Sequence, residues 1–101
     1  MIKVKIEYNN NFVKSFKISG HANYDDYGKD IVCASVSSIA ITSINLALKL
    51  DIKSVSYIEK EGLLDVTILK QDEVINKVFL NMIDMFKELE KQYKNNIKIY
   101  R

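Results

Sequence analysis

The chain contains no proline and no tryptophan, and among its 101 residues there are only three glycines, one cysteine and one histidine. Without proline there is no Pro-rich linker, and no stretch is repeated or of low complexity, so a single domain over residues 1–101 is expected. Gly20, Gly28 and Gly62 are too widely spaced for a Gly-rich phosphate loop or a dinucleotide fingerprint, and no Gly-x-Ser-x-Gly elbow occurs. A lone cysteine forms no internal disulfide and belongs to no Cys-x-x-Cys metal pattern. An excess of one charge is also lacking. Fifteen basic and thirteen acidic side chains are interspersed for a net +2, so the massed basic face of a dedicated nucleic-acid binder is missing and no direct nucleic-acid contact is expected. No charged leader followed by a long apolar run opens the chain. Residues 31–50, the longest mostly apolar segment, are interrupted by Ser35, Ser37, Ser38, Thr42, Ser43 and Asn45. That pattern favours burial in protein over lipid, hence a soluble, cytoplasmic protein with no membrane partner.

What the chain does contain is clear periodicity. "IKVKIEY" (residues 2–8) alternates apolar and charged side chains as a half-buried strand does. "NNN" (9–11) then tolerates the positive φ of a tight turn, and "FVKSFKI" (12–18) completes a hairpin. From 19 to 29 the periodicity stops, and Gly20 and Gly28 bracket a polar segment that reads as a long surface loop with the two glycines as hinges. Asp30 is the expected N-cap of a helix over 31–50, with Cys33 in its first turn and Ala34, Ala40 and Ala47 keeping it slim. Residues 54–70 form a second hairpin around Glu61-Gly62, with Leu64, Val66 and Ile68 turned to the core. Residues 71–93 make a second helix whose Val74, Val78, Met82, Met85 and Leu89 repeat as one apolar stripe, and "IKIY" (97–100) adds an edge strand. The fold class is therefore α+β, in the order β-β-α-β-β-α(-β), with two helices packed on a mainly antiparallel sheet.

The chemistry concentrates between Ser19 and Ser38. A cysteine attacks as its thiolate, which a helix N-terminus or a neighbouring imidazolium favours over the thiol form. First-turn N–H groups near Cys33 would serve both the thiolate and a developing oxyanion. His21, on the preceding loop, is the candidate to take the thiol proton and return it to a leaving amine. Asp30 is a candidate to orient the imidazole, and Ser37, one turn after Cys33, to touch thiol or substrate. The plainer alternatives stay open: Cys33 as a small packed hydrophobe, His21 as a solvated loop residue, Asp30 as a cap, Ser37 bonded back to its own helix. Cys33, His21, Asp25, Asp26 and Asp30 supply enough donors for zinc, but their spacing fits no usual ligand pattern, so neither a metal nor another cofactor is expected.

"GHANYDDYGKDIVCASVSS" resembles the motif of the bacterial ribosomal-processing cysteine protease family, Prp: Gly20-His21-Ala22, then Gly28, Asp30-Ile31-Val32-Cys33-Ala34, then Ser37. The resemblance implies a homodimeric endopeptidase that removes the N-terminal extension from the precursor of large-subunit ribosomal protein number twenty-seven, after an aromatic-rich segment. It implies Cys33 as nucleophile and His21 as proton donor and acceptor, with Asp30 and Ser37 at family positions of supporting role. The loop is expected to order when peptide arrives, and the slim, apolar first helix to form the subunit contact. A competing expectation is a noncatalytic, ribosome-associated module in which the same loop binds protein or RNA.

Overall fold

The computed structural model describes residues 1–20 and 27–101, with residues 27–30 described by their backbone alone. The first hairpin joins β1 (Ile2–Asn9) to β2 (Phe12–Ser19). Asn10 and Asn11, at φ 51° and 71°, make the two-residue turn between them, the left-handed pair that matches strand twist and that asparagine tolerates. A bulge after Glu7 sets Lys14 outside the register. The helix α1 (Tyr27–Leu50), the hairpin β3 (Val55–Lys60) and β4 (Leu63–Ile68), the helix α2 (Glu73–Gln92) and β5 (Ile97–Tyr100) follow in the expected order.

The five strands form one sheet in the order β3-β4-β2-β1-β5, antiparallel except for the β1–β5 pair. Its alternation is regular: Ile2, Val4 and Ile6 are buried while Lys3, Lys5 and Glu7 face water. Both helices cover the apolar face. From α1, Val32, Val36, Ala40, Ile44 and Ala47 turn inward, so two of the three small residues serve close approach to the core and only Ala34 is exposed. From α2, the buried stripe is Ile75, Phe79, Met82, Ile83 and Phe86. The ring centroids of Phe79 and Phe16 of β2 lie 5.6 Å apart in a tilted pair at the centre of the core.

Two sequence expectations change here. Val74 and Met85 lie outside the core, at 56% and 45% exposed, so the stripe is rotated from the one expected and of that set only Met82 is fully buried. The apolar arc of α2 is wider than one stripe, and heavier side chains at 75, 79 and 86 fill the space above Phe16 better than valine does. The second change is the start of α1. Helical backbone already runs from Tyr27, so Gly28 and Asp30 belong to its first turn rather than to a loop hinge and a preceding cap. Acidic residues are favoured both at an N-cap and within the first turn, so residue type alone does not place the boundary.

Polar ends are closed locally. Asp72 caps α2, its Oδ1 accepting from the N–H groups of Val74 (2.8 Å) and Ile75 (3.0 Å). Asp72→Ala should therefore lower stability by about 1 kcal/mol in a denaturant titration, with an unchanged slope. At the other end of α1, Asp51 accepts from Lys70 and from the Lys53 N–H, and these bonds hold its carboxyl below the ordinary value of 3.8. The contact thus helps the folded state above that pH and is lost as pH falls through the depressed value. The Ser54 hydroxyl, fully buried, donates to the Ala47 carbonyl at 3.0 Å.

Candidate functional site

The site is a cleft of about 260 Å³ between the first half of α1 and the ends of β2, β3 and β4. Cys33, Ser37 and Ile41 contribute from α1, one helical turn apart on one side, as side chains at i and i+4 must. Across from them stand Ile18 and Gly20, at and just beyond the end of β2, and Gly62 and Leu63 at the β3–β4 turn. Glu59 and Lys60 supply the polar rim.

Gly20 is at the point where the chain leaves the sheet. Its φ is +92°, and a Cβ built there would lie 2.4 Å from the Met1 carbonyl oxygen, so a residue without a side chain is required at this crossing. Its N–H donates to the Gly62 carbonyl at 3.1 Å. The root of the segment that carries His21 is thereby tied to the cleft wall. His21 itself, with Asp25 and Asp26, lies outside the described residues.

Cys33 is a free, half-buried thiol packed against the core at the cleft floor. Because α1 begins at Tyr27, Cys33 stands in the second turn. Its own N–H lies within the helical ladder, and the dipole effect decays over the first turn, so the expected cradle of open N–H groups around the sulfur is not formed by this helix end. Ser37 also departs from the plainer alternative. Whereas the Ser43 hydroxyl bonds back to Ile39 O at 2.8 Å, Ser37 is exposed in the cleft and has no hydrogen-bond partner among the described residues. Asp30 stands three residues before Cys33 on the same helix.

Sequence periodicity did not point to Gly62, Glu59 or Lys60. They join the site only because β4 pairs with β2 (Ser19↔Leu63), which brings the second hairpin's turn beside Gly20. The available signal was the Glu61-Gly62 turn itself, which says where a hairpin reverses but not what lies next to it.

Comparison with known proteins places the whole chain in one family. A family model described as cysteine protease Prp matches residues 1–98. The ribosomal processing cysteine protease Prp of Bacillus subtilis is 27% identical, the match covering 86% of this chain and 84% of that protein. Its Staphylococcus aureus counterpart is 26% identical over 98% of this chain and 97% of its own length. Among solved structures, the essential ribosomal processing protease Prp from S. aureus in complex with a covalently linked product peptide superposes with a TM-score of 0.89 at 25% identity. That superposition covers 99% of this chain and 98% of the other. Matched from end to end, with a free cysteine and the root of its histidine-bearing segment facing one cleft, the chain belongs to the cysteine protease Prp family and is a cysteine-type peptidase of ribosomal processing.

Proposed function

We propose that this peptidase removes the N-terminal extension from the precursor of large-subunit ribosomal protein number twenty-seven, with Cys33 as nucleophile and His21 as the proton carrier. The observation that carries the proposal is that Cys33 and Gly20 line the same cleft. One peptide bond, about 3.8 Å between Cα atoms, then separates a cleft-lining residue from His21. Binding of substrate and product peptides by the S. aureus protein supports a peptide as the ligand.

In this reading His21 accepts the Cys33 proton and the thiolate adds to the scissile carbonyl carbon, giving a tetrahedral oxyanion. Collapse breaks the C–N bond while the imidazolium returns the proton to the departing amine, leaving a thioester on Cys33. Water, deprotonated by His21, then releases the acyl product and restores the thiol. Ser37, with its hydroxyl free of the helix backbone, is a group beside Cys33 in the cleft able to donate to a peptide oxygen. Asp30, at i−3 from Cys33, is assigned the orientation of the imidazole, and Gly20 the hinge of the His21 segment. Iodoacetamide tests the pair directly. Wild-type Cys33 should be alkylated at pH 6.5 at least about tenfold faster than in His21→Ala; equal rates would end the dyad.

The same reading includes a homodimer and a cytoplasmic location, where ribosomal protein precursors are made. A groove of about 470 Å³ runs between α1 and α2, lined by Ala34, Ser35, Ser38, Ile39, Met85 and Leu89, among others. Half-exposed Met85 lies there beside the small residues Ala34, Ser35 and Ser38, with Glu88 and Gln92 also lining the groove, so small and apolar groups of the kind found at interface centres share it with a polar rim. Ala40 faces the core, so Ser38 is the better probe. Ser38→Glu should convert a dimer to monomer in sedimentation while leaving the helical circular dichroism intact; an unchanged dimer would place the contact elsewhere.

A further inference from the structure

The two edges of the sheet are treated differently. At β5 the outward N–H groups are both occupied. Register with β1 turns Ile97 and Ile99 outward, and their N–H groups donate to Tyr93 O at 3.2 Å and Glu90 Oε2 at 2.8 Å. At β3 they are not. Leu69 donates to Ser54 O, which sets the phase of the β3–β4 ladder. Ser56, Ile58 and Lys60 exchange bonds with β4, whereas the N–H and C=O groups of Val55, Tyr57 and Glu59 point away from the sheet. None of these three has a backbone partner beyond the sheet among the described residues. The edge is straight in register, carries no proline and exposes Tyr57 and Ile58, its charges being confined to Glu59 and Lys60 at the cleft end. Sheet edges are normally blunted by charge, bulge or cover unless another strand is meant to pair with them.

This open edge runs into the cleft. Glu59, the last residue with outward backbone groups, also lines the space around Cys33. Tyr57 pairs across the ladder with Val66, which is fully buried, so its ring is on the helix-facing side, yet it is 46% exposed because α1 does not cover β3 there. A strand laid beside β3 would therefore meet backbone donors and acceptors at every second residue and an aromatic ring on the side facing the helices.

We propose that the substrate binds as an added strand on the free edge of β3, with Tyr57 and Glu59 supplying backbone hydrogen bonds and the Tyr57 ring selecting an apolar side chain. The inference rests on the peptidase reading and deepens it. The occupant is an extended segment of the ribosomal protein precursor, argued from the edge's continuity with the cleft that holds the thiol. Main-chain pairing fixes the register of the peptide, which carries the scissile carbonyl to a defined place over Cys33.

The test uses the full chain and a synthetic peptide spanning the extension–mature junction of that precursor, N-methylated at one backbone position at a time. Strand pairing predicts a period of two: methyl groups at alternate residues lower kcat/KM at least about tenfold, and those between them change it less than about twofold. Tyr57→Ala should lower kcat/KM about fivefold through KM, with the iodoacetamide rate at Cys33 and the oligomeric state unchanged. Losses without a period of two, or full activity of Tyr57→Ala, would overturn edge pairing while leaving the peptidase intact. A shift from dimer to monomer in Tyr57→Ala would show a second copy on the edge and would equally overturn it. Failure to cut the unmodified peptide while Cys33 alkylates normally would remove the substrate reading and this inference together.

Discussion

Cys33→Ala is expected to abolish cleavage of the precursor junction peptide, a loss of about 10⁴-fold or more, because in the proposed reaction no other described group in the cleft takes its place as the nucleophile. Ser37 cannot substitute for it, since a hydroxyl without a base aligned to it is a far weaker nucleophile at neutral pH. His21→Ala should cost less, about 10² to 10⁴-fold, as removal of a general acid–base does when the thiol itself survives. The effect is separable from folding. Cys33 is only half buried, and loss of its sulfur should change stability by about 1 kcal/mol or less. Steady-state cleavage followed by mass spectrometry, with thermal melts of each variant, makes the comparison. Residual cutting by Cys33→Ala at more than a few per cent of wild type would end the thiol mechanism.

Gly20→Ala is the second large effect, and it links fold to site. A positive φ costs an L-residue about 1–2 kcal/mol, and a new methyl aimed at a backbone oxygen adds about 1–3 kcal/mol of overpacking. The clash cannot be relieved by a side-chain rotation, because the atom met is the carbonyl oxygen of Met1. The start of β1 must move or Gly20 must turn, and turning it breaks the N–H bond to Gly62. A melting point lower by roughly 10 °C or more is expected for a domain of this size. A fall in kcat/KM at temperatures where the variant is still folded is also expected, because the root of the His21 segment has lost its anchor. Full activity in the folded variant would mean that the anchor does not position His21.

Much of the fold was legible because each element has a period that burial alone explains. Ile2, Val4 and Ile6 alternate, and the asparagines at 10 and 11 fit the one turn that needs two positive φ angles. The pair Leu64 and Val66 faces the core as alternation requires. The errors share a cause. In α2 the apolar residues spread over more than half the helix, so Val74 and Met85 were as eligible for the core as Ile75 and Phe86 until the shape of the space above Phe16 chose between them. At α1 the acids and glycine before Ile31 suit a loop, a cap or a first turn, and only the folded chain started the helix at Tyr27. That shift moved Cys33 out of the reach of the helix end and left His21 as the remaining one of the two activating groups expected from the sequence.

The sequence by itself determined the elements, their order and the α+β class, and it singled out Cys33 and His21 as the candidates for the chemistry, because these depend on contacts a few residues long and on side-chain chemistry. Only the tertiary structure decided that β4 lies beside β2, that the Glu61-Gly62 turn therefore meets Gly20, and that one sheet edge is sealed while the other opens toward Cys33. Those facts arise from pairing between segments distant along the chain. Many pairings satisfy the same local pattern, and the choice among them is made by how well the two helices fill a single core.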